Sequence, residues 1–418
     1  MPSLIDSIKN NLKLICLSHC TSGRVNSAPI IKSLVNSTLS FDAEAVQLLS
    51  GTVDKIRAER PQIEQNFSTE YLEEELTKII FLCQPIPIAN IDKSLLSEIT
   101  KLIKRLQSTV QSWVFFVPIT NLKFENLKRI TIGAVTFYDL NPNTLKYLRS
   151  EFKAIIGNPK LTESYSDFVK QKIGVLAVTK IEAGDTAKAS SKALLQVERS
   201  LSILRFYNFN NQFGTQRELS VTNNIEDIHW TNLTTNNSGS SLRALSISLF
   251  FPFTISRSDI SLMRKKGNLS GFNKLLNAAY PTKLESKLLT SLHWYGLAVK
   301  DEQDVDRFVK LMVSLESLVL NKNDEPKKYL LADRSAFILG KKKDARNEIF
   351  ALVANAYSIR GDIVHEGRYE ISKEETNRVL FLLRALILKL MKLSNGVSSL
   401  EEISQKIKEI KFGSPINI

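Results

Sequence analysis

The sequence predicts an α+β multidomain protein with a helical N-terminal region, a mixed α/β middle domain and an all-α four-helix bundle at the C-terminus. Helical apolar spacing before residue 110, strand-like apolar runs from residue 113 and helical spacing again after residue 300 predict this order. A chain of 418 residues also exceeds the roughly 250–300 residues at which a single core stops growing. We therefore expect three domains, at residues 1–110, 111–300 and 301–418.

The first 110 residues have the pattern of helices joined by polar turns. Acidic residues after Ser68 mark one helix start, since negative charge is favourable in a first turn. Cys16, His19 and Cys20 lie at helical spacing and could ligate a metal, but the leucines around them favour a buried helix, and no second ligand pair follows. We expect no metal site.

The location is predicted from what the chain lacks. No segment approaches the roughly 18 uninterrupted apolar residues of a membrane span. The start, Met-Pro-Ser-Leu-Ile-Asp, has neither the basic nor the apolar region of a secretory signal. The 3 cysteines cannot form an even disulfide framework. We expect a cytoplasmic protein without a membrane segment.

Strand-like segments mark the middle region. They alternate or run apolar and are rich in β-branched and aromatic residues; they cover residues 113–119, 129–138, 172–179 and 244–251. Gly184 and Asp185 lead into a long helical pattern. The polar residues 208–241 show no clear period and predict loops or edge strands.

The formal charge of +13 suggests a polyanionic partner, because phosphate backbones are bound mainly by Lys and Arg. Residues 1–300 hold 36 Lys and Arg against 25 Asp and Glu, a net of +11, whereas residues 301–418 hold 20 against 18, a net of +2. The basic segment 255–300 is the best candidate for an RNA-binding surface, through Arg264, Lys265, Lys266 and Lys274. The alternative is a solvated helix face.

Four helices are predicted after residue 300. Apolar residues recur every three or four positions over residues 305–319. The second helix covers about 328–339 and ends at Gly340, and the third runs from about 343 to 364 and is closed by Gly367. The fourth begins with a capping box between Ser372 and Glu375. Four such helices predict a bundle.

Glu316, Arg334 and Arg360 interrupt the apolar faces of these helices. A buried charge is costly unless it is paired, so Glu316 is expected to accept from Arg334, from Arg360, or from both. If Arg360 only pairs with Glu316, it is structural, and spacing alone does not separate that reading from catalysis.

His365 favours catalysis. It follows Arg360 by five residues, near the helix end. An imidazole exchanges protons near neutral pH, and a guanidinium offers a planar fork of donors to a phosphate. The pair suits metal-free attack of an RNA 2′-hydroxyl on its phosphodiester. Asp362 is expected to accept the second N–H of His365, while Glu366 and Arg368 shape the pocket.

Three segments of this region resemble the HEPN superfamily, particularly its Apea-like branch. They are Phe-Val-Lys-Leu-Met-Val-Ser-Leu-Glu-Ser-Leu from Phe308, Ala-Asp-Arg-Ser-Ala-Phe-Ile-Leu-Gly from Ala332, and Tyr-Ser-Ile-Arg-Gly-Asp-Ile-Val-His-Glu-Gly from Tyr357. That branch similarly has a Ser-Leu-Glu helix, an Arg-containing helix ending in Gly and an Arg-(four residues)-His signature. The resemblance covers about residues 300–395.

The resemblance implies a metal-independent endoribonuclease that acts as a homodimer, without a cofactor, in antiphage abortive infection, toxin systems or RNA processing. His365 would be the catalytic histidine, Arg360 the phosphate-stabilising arginine and Asp362 a polar position of the motif. RNA, such as tRNA or another structured RNA, would be the partner, and a phage-derived or other trigger the activator. Glu366 departs from the Gly common after the histidine and adds negative charge there. The alternative is a catalytically inactive HEPN nucleic-acid-binding or regulatory dimerisation adaptor.

Overall fold

The computed structural model describes residues 3–18, 20–21, 30–34, 37–83, 85–120, 122–151, 173–207, 232–236, 239–243, 253–301 and 303–413. Within these ranges the chain is mostly helical, with a small mixed sheet region in the middle. It divides into two compact units, residues 1–114 with 180–193, and residues 115–179 with 194–418. The predicted domain boundaries near residues 110 and 300 stay predictions.

The first unit is built mainly from helices. They are α1 (Leu4–Ser18), α2 (Ala43–Glu59), α3 (Pro61–Asn66), α4 (Thr69–Cys83) and α5 (Ile88–Ser108). Their apolar faces form one core that includes Leu12, Val53, Leu76 and Ile99. The side chain of Cys16 is buried in that core, whereas His19 lies outside the described residues.

Three strands in the first unit were missed by the sequence prediction. They are β1 (Cys20–Thr21), β2 (Ile30–Leu34) and β3 (Ser37–Phe41), and they form an antiparallel sheet in the order β1-β3-β2. Strands this short give no alternating pattern long enough to detect.

The middle of the chain forms a six-stranded sheet of order β10-β9-β4-β8-β7-β6, and β11 pairs in parallel with β5 in a second sheet. The strands are β4 (Gln111–Thr120), β5 (Leu122–Glu125), β6 (Arg129–Ile132), β7 (Val135–Asp139), β8 (Ile173–Ala183), β9 (Asn232–Asn236), β10 (Gly239–Arg243) and β11 (Phe253–Ser256). The strands predicted near 113 and 172 are present. The strand predicted at 244–251 lies outside the described residues.

The segment 129–138 was predicted as one strand, and this is wrong. It is the antiparallel hairpin β6–β7, in which Ile132 lies opposite Val135. Gly133 provides the turn at a φ of 60°, a conformation that glycine adopts without steric cost. An apolar run on both sides of this turn gave the impression of a continuous strand.

Two further helices accompany the sheet, α6 (Pro142–Glu151) and α7 (Thr186–Phe206). Asp185 lies immediately before α7, and its carboxylate accepts from the backbone N–H of Lys188 at 2.9 Å and of Ser68 at 2.7 Å. An aspartate at this position satisfies an unpaired N–H of the first turn. The predicted start of this helix near residue 185 is confirmed.

The rest of the second unit is helical. After α8 (Arg257–Lys265), α9 (Leu269–Leu276) and α10 (Lys283–Lys300) come α11 (Asp304–Val319), α12 (Lys327–Leu339), α13 (Lys343–Glu366), α14 (Lys373–Leu393) and α15 (Leu400–Lys411). The four helices predicted after residue 300 are present as α11 to α14. The capping box of Ser372 and Glu375 and the end of α13 at Gly367 are confirmed.

Helix α11 lies at the centre of these helices and packs against α10, α13 and α14, while α12 packs along α13. Ser314 of α11 donates to the backbone carbonyl of Ser291 in α10 at 2.7 Å. Small hydroxyl residues at this contact let the two helices approach closely. None of the helices in the described ranges has both the length and the apolar character to cross a membrane.

Candidate active site

The candidate site lies on α13. Val353, Ala356 and Ile359 are buried on one face of this helix, at the three- and four-residue spacing of a helix packed on one side. Arg360 adjoins that face and is half-buried, whereas His365 lies in the last turn and is exposed. The packing of α13 therefore places one residue of the pair against the protein and the other in solvent.

Arg360 faces Glu316 of α11. The Nε atom of Arg360 lies 3.5 Å from Oε1 of Glu316, and their side chains are 25% and 21% exposed. Both atoms are buried, and neither has a hydrogen-bond partner within the described residues. Burial raises the pKa of Glu316, and the opposing effects of Arg360 and Lys327 do not offset it. The pair is an ion pair without the hydrogen bond that would complete it.

Arg334 does not share this site, so the alternative in which it binds Glu316 is wrong. Its guanidinium donates to the carbonyl of Val319 at 2.9 Å and to the carboxylate of Asp324, with an Nη2–Oδ1 distance of 3.1 Å. Although burial acts to raise it, the pKa of Asp324 is lowered on balance, chiefly by its hydrogen bond from Arg334. Asp324 lies in the connection between α11 and α12.

His365 makes no hydrogen bond or ion pair with any described residue. The hydrogen bond expected from His365 to Asp362 is therefore not formed. Asp362 instead lies 3.8 Å from Arg368, Oδ2 to Nη1. Gly367, at a φ of 72°, ends the helix and turns the chain, and the backbone N–H of Arg368 donates to the Asp362 carbonyl at 3.2 Å. This turn brings Arg368 back to Asp362.

Arg360 and His365 do not contact each other within one chain. Five residues of helix advance by about 7.5 Å along the axis and about 140° around it. The two side chains therefore leave α13 in different directions. Tyr357 is half-buried one turn before Arg360, and Glu366 is exposed beside His365.

An open cleft of about 660 Å³ lies beside the end of α13, and the sequence prediction missed most of it. It lies between the start of α11 and the connection to α14, and it is lined by Gln303, Asp304, Val305, Arg368, Tyr369, Glu370, Ile371, Ser372 and Glu375. Tyr369 is 86% exposed. The available signal was a tyrosine two residues after the glycine that ends a helix.

The four residues predicted to bind RNA are all exposed. Arg264 and Lys265 lie in the last turn of α8, Lys266 follows it, and Lys274 lies in the last turn of α9. Lys274 donates to the side-chain oxygen of Asn395 at 3.4 Å. Cations at helix C-termini also complement the helix dipole, so this placement fits both the RNA-binding prediction and the solvated-face alternative.

Within the described ranges, no three or more His, Cys, Asp and Glu side chains come together in an arrangement that could hold a metal ion. A metal-independent reaction stays a prediction. The residues near α13 offer one imidazole, which can transfer protons, and one partly engaged guanidinium, which can bind a phosphate.

No protein-family model, no curated protein and no solved structure matches this chain. The resemblance to the HEPN superfamily therefore stays a prediction, and the roles of Arg360 and His365 rest on chemistry and geometry.

Proposed function

We propose that this protein is a metal-independent endoribonuclease of the HEPN type, with His365 as general base and Arg360 stabilising the phosphate. The observation that carries the proposal is the state of these two side chains. His365 is exposed and unpartnered among the described residues, and a quarter of the Arg360 side chain is exposed, although its Nε is buried beside Glu316. His365 is therefore open to a substrate, and Arg360 is partly open to one.

In the proposed reaction, His365 removes the proton of an RNA 2′-hydroxyl. The 2′-oxygen attacks the adjacent phosphorus, the bond to the 5′-oxygen breaks, and a 2′,3′-cyclic phosphate and a 5′-hydroxyl result. Arg360 donates to the phosphate oxygens, where negative charge increases in the transition state. The protonated His365 then returns the proton, by way of a water molecule, to the leaving 5′-oxygen.

The geometry of α13 supports a composite site. Because Arg360 and His365 point about 140° apart on one helix, one chain does not direct both at the same phosphate. Two chains related by a twofold axis provide two pairs, so that His365 of one subunit works with Arg360 of the other. The resemblance implies such a homodimer, and its setting would be a cytoplasmic antiphage defence, abortive-infection or toxin system.

Replacement of His365 tests the proposal. His365→Ala is expected to lower cleavage by about 10²–10⁴, the usual value of general acid–base catalysis. Wild-type cleavage is expected to proceed in EDTA and to leave 2′,3′-cyclic phosphate ends. Because His365 is exposed, the variant is expected to fold, which circular dichroism checks.

Asn355→Ala is the matched control, since Asn355 is also exposed on α13 but lies outside the Arg-His segment. It is expected to cleave like the wild type. Undiminished cleavage by a folded His365→Ala protein would show that the site is wrongly assigned.

A second candidate function is a catalytically inactive adaptor that uses these helices to bind nucleic acid or to dimerise. The observation that favours it is the position of Arg360, which is three-quarters buried beside Glu316. If this ion pair only stabilises the helices, purified wild-type protein binds RNA or forms a dimer but does not cleave. The cleavage assay separates the two functions.

A further inference from the structure

The cleft beside α13 has the size and lining of a site for one nucleotide. Its volume of about 660 Å³ lies within the roughly 300–1,000 Å³ typical of small-molecule sites. Val305 and Ile371 provide apolar walls, and Gln303 provides an amide that makes no hydrogen bond with a described residue. Such a mixture suits a flat, partly apolar ligand with polar edges.

Tyr369 is the aromatic group of this cleft. Its ring rests near Gly367, since a Cβ atom at position 367 would lie 3.8 Å from the hydroxyl of Tyr369. The side chain is nevertheless 86% exposed, so most of the ring is open to a ligand. Aromatic rings exposed next to nucleic-acid sites stack on unpaired bases.

The charges of the cleft argue against a phosphate. Asp304, Glu370 and Glu375 line it, against Arg368 as the one basic residue of the lining. The guanidinium of Arg368 already has partners. Its Nε donates to the backbone carbonyl of Glu370 at 2.9 Å, and its Nη1 lies 3.8 Å from Oδ2 of Asp362. Carboxylates repel a phosphate, but they accept hydrogen bonds from amino groups on base edges.

The position of the cleft connects it to the Arg-His segment. Arg368 and Tyr369 follow His365 by three and four residues, and Asp362 lies one turn before His365 on α13. A nucleotide in the cleft would therefore be a close neighbour of the phosphodiester at His365.

From this geometry we infer that the cleft binds one unpaired nucleobase that carries an exocyclic amino group, such as adenine or cytosine, rather than uracil. Tyr369 stacks on the base, and Glu370 and Gln303 accept from its amino group. The inference rests on the proposed ribonuclease function, for which it names unpaired, amino-bearing nucleotides as the preferred substrate.

The test measures binding with cleavage blocked. Full-length His365→Ala protein is titrated into fluorescent twelve-nucleotide oligo(A), oligo(C) and oligo(U) at one salt concentration. We expect tighter binding of oligo(A) and oligo(C) than of oligo(U). Adding Tyr369→Ala is expected to weaken oligo(A) binding about ten-fold, whereas Tyr369→Phe retains it because the ring remains.

Two further variants test the details. Tyr280→Ala is the matched control, since Tyr280 is 94% exposed but does not line the cleft. It is expected to bind oligo(A) like the His365→Ala parent. Glu370→Gln is expected to reduce the preference for oligo(A) over oligo(U), because a neutral amide is a weaker acceptor than a carboxylate.

The inference is overturned if Tyr369→Ala binds oligo(A) like its parent, if Tyr280→Ala loses as much affinity, if oligo(U) binds as tightly as oligo(A), or if no oligonucleotide binds. The cleavage assay on the wild-type protein tests the proposed function separately. Cleavage that persists without dependence of binding on Tyr369 removes only this inference. Binding that depends on Tyr369 without wild-type cleavage removes only the proposed function.

Discussion

At the level of single residues, the ion pair of Glu316 and Arg360 bears most directly on the proposed reaction. Two opposite charges at 3.5 Å without a hydrogen bond form a looser contact than a paired structural bridge. Arg334 shows the contrast, because it donates to both Asp324 and the Val319 carbonyl. Arg334 is held by two acceptors within the protein, whereas the buried Nε of Arg360 is held by none.

The free energy of unfolding of the Glu316→Gln variant is expected to rise relative to that of the wild type as pH rises. Burial raises the pKa of Glu316 in the folded protein above its ordinary value of 4.5. The folded state therefore binds this proton more tightly than the unfolded state, and the stability that the carboxyl contributes below pH 4.5 is lost as pH rises through the raised pKa. Glutamine has no such loss.

Urea unfolding of both proteins at about pH 4, 5.5 and 7 measures this effect. The free energy of unfolding of the variant minus that of the wild type is expected to increase from the lowest to the highest pH. A difference that stays constant over this range would show that Glu316 is not penalised by burial.

Some residue contacts could be predicted and others could not. Helical spacing correctly directed Glu316 towards Arg360, because both interrupt apolar faces of helices that pack together. It could not reveal that Asp324 would bind Arg334, since Asp324 lies in a connection with no period. The hydrogen bond predicted from His365 to Asp362 is not formed, and the turn at Gly367 brings Arg368 to the carboxylate of Asp362 instead.

At the level of helices and strands, the basic segment 255–300 forms the three helices α8, α9 and α10. Three of its basic residues form a cluster at the end of α8. Arg264, Lys265 and Lys266 are consecutive and exposed at a helix C-terminus. Lys287 behaves differently, since it donates to the carbonyl of Ser317 at 3.3 Å and is half-buried. Only part of the segment is free to contact RNA.

Replacing Arg264, Lys265 and Lys266 together by Ala is expected to weaken RNA binding and to flatten its salt dependence. Each lost phosphate contact reduces the slope of log K against log salt concentration by about 0.7 for single strands. Fluorescence titrations of the His365→Ala parent and the variant over a range of salt concentrations measure the slope.

A matched variant replaces Lys341, Lys342 and Lys343, which are also consecutive and exposed. It removes the same charge from another place. If both variants weaken binding equally, total charge and not the α8 cluster accounts for the effect, and an unchanged slope in the α8 variant removes this cluster from the RNA-binding surface.

Periodicity predicted long elements better than short ones. Helices α11 to α14 repeat their apolar pattern over several turns, which fixes their faces with little ambiguity. The hairpin β6–β7 depended on a single glycine, and the strands β1 to β3 have at most five residues each. Local propensity is weak over such lengths, and pairing partners decide the structure.

At the scale of the whole molecule, the helices after residue 300 do not stand alone. Helix α10, from the predicted middle domain, packs against α11, and Phe206 of α7 lies near Tyr295 of α10, with ring centroids 5.4 Å apart. The boundary at residue 300 was predicted because the strand-like segments and most of the basic excess lie before it. Helices on both sides of this position nevertheless pack together, so the core of the second unit extends across it.

The dimer is the whole-molecule prediction on which the proposed mechanism depends. One chain offers one imidazole and one guanidinium that diverge on α13, yet the reaction needs an imidazole and a phosphate-binding guanidinium at one phosphodiester. Val364, next to His365, is 48% exposed, and Phe381 on α14 is 62% exposed, so α13 and α14 each leave a large apolar side chain uncovered in the single chain.

We therefore expect sedimentation velocity to show a dimer at the concentrations at which the protein cleaves RNA.

Mixing of two variants provides a second test. After subunit exchange, a mixture of His365→Ala and Arg360→Ala proteins forms heterodimers. A heterodimer retains His365 from one chain and Arg360 from the other, so one of its two pairings across the interface is complete. Such a mixture is expected to regain part of the activity that both variants lack alone, whereas a site contained in one chain would regain none. Full activity in a strictly monomeric protein would contradict the composite site while leaving His365 as a candidate base.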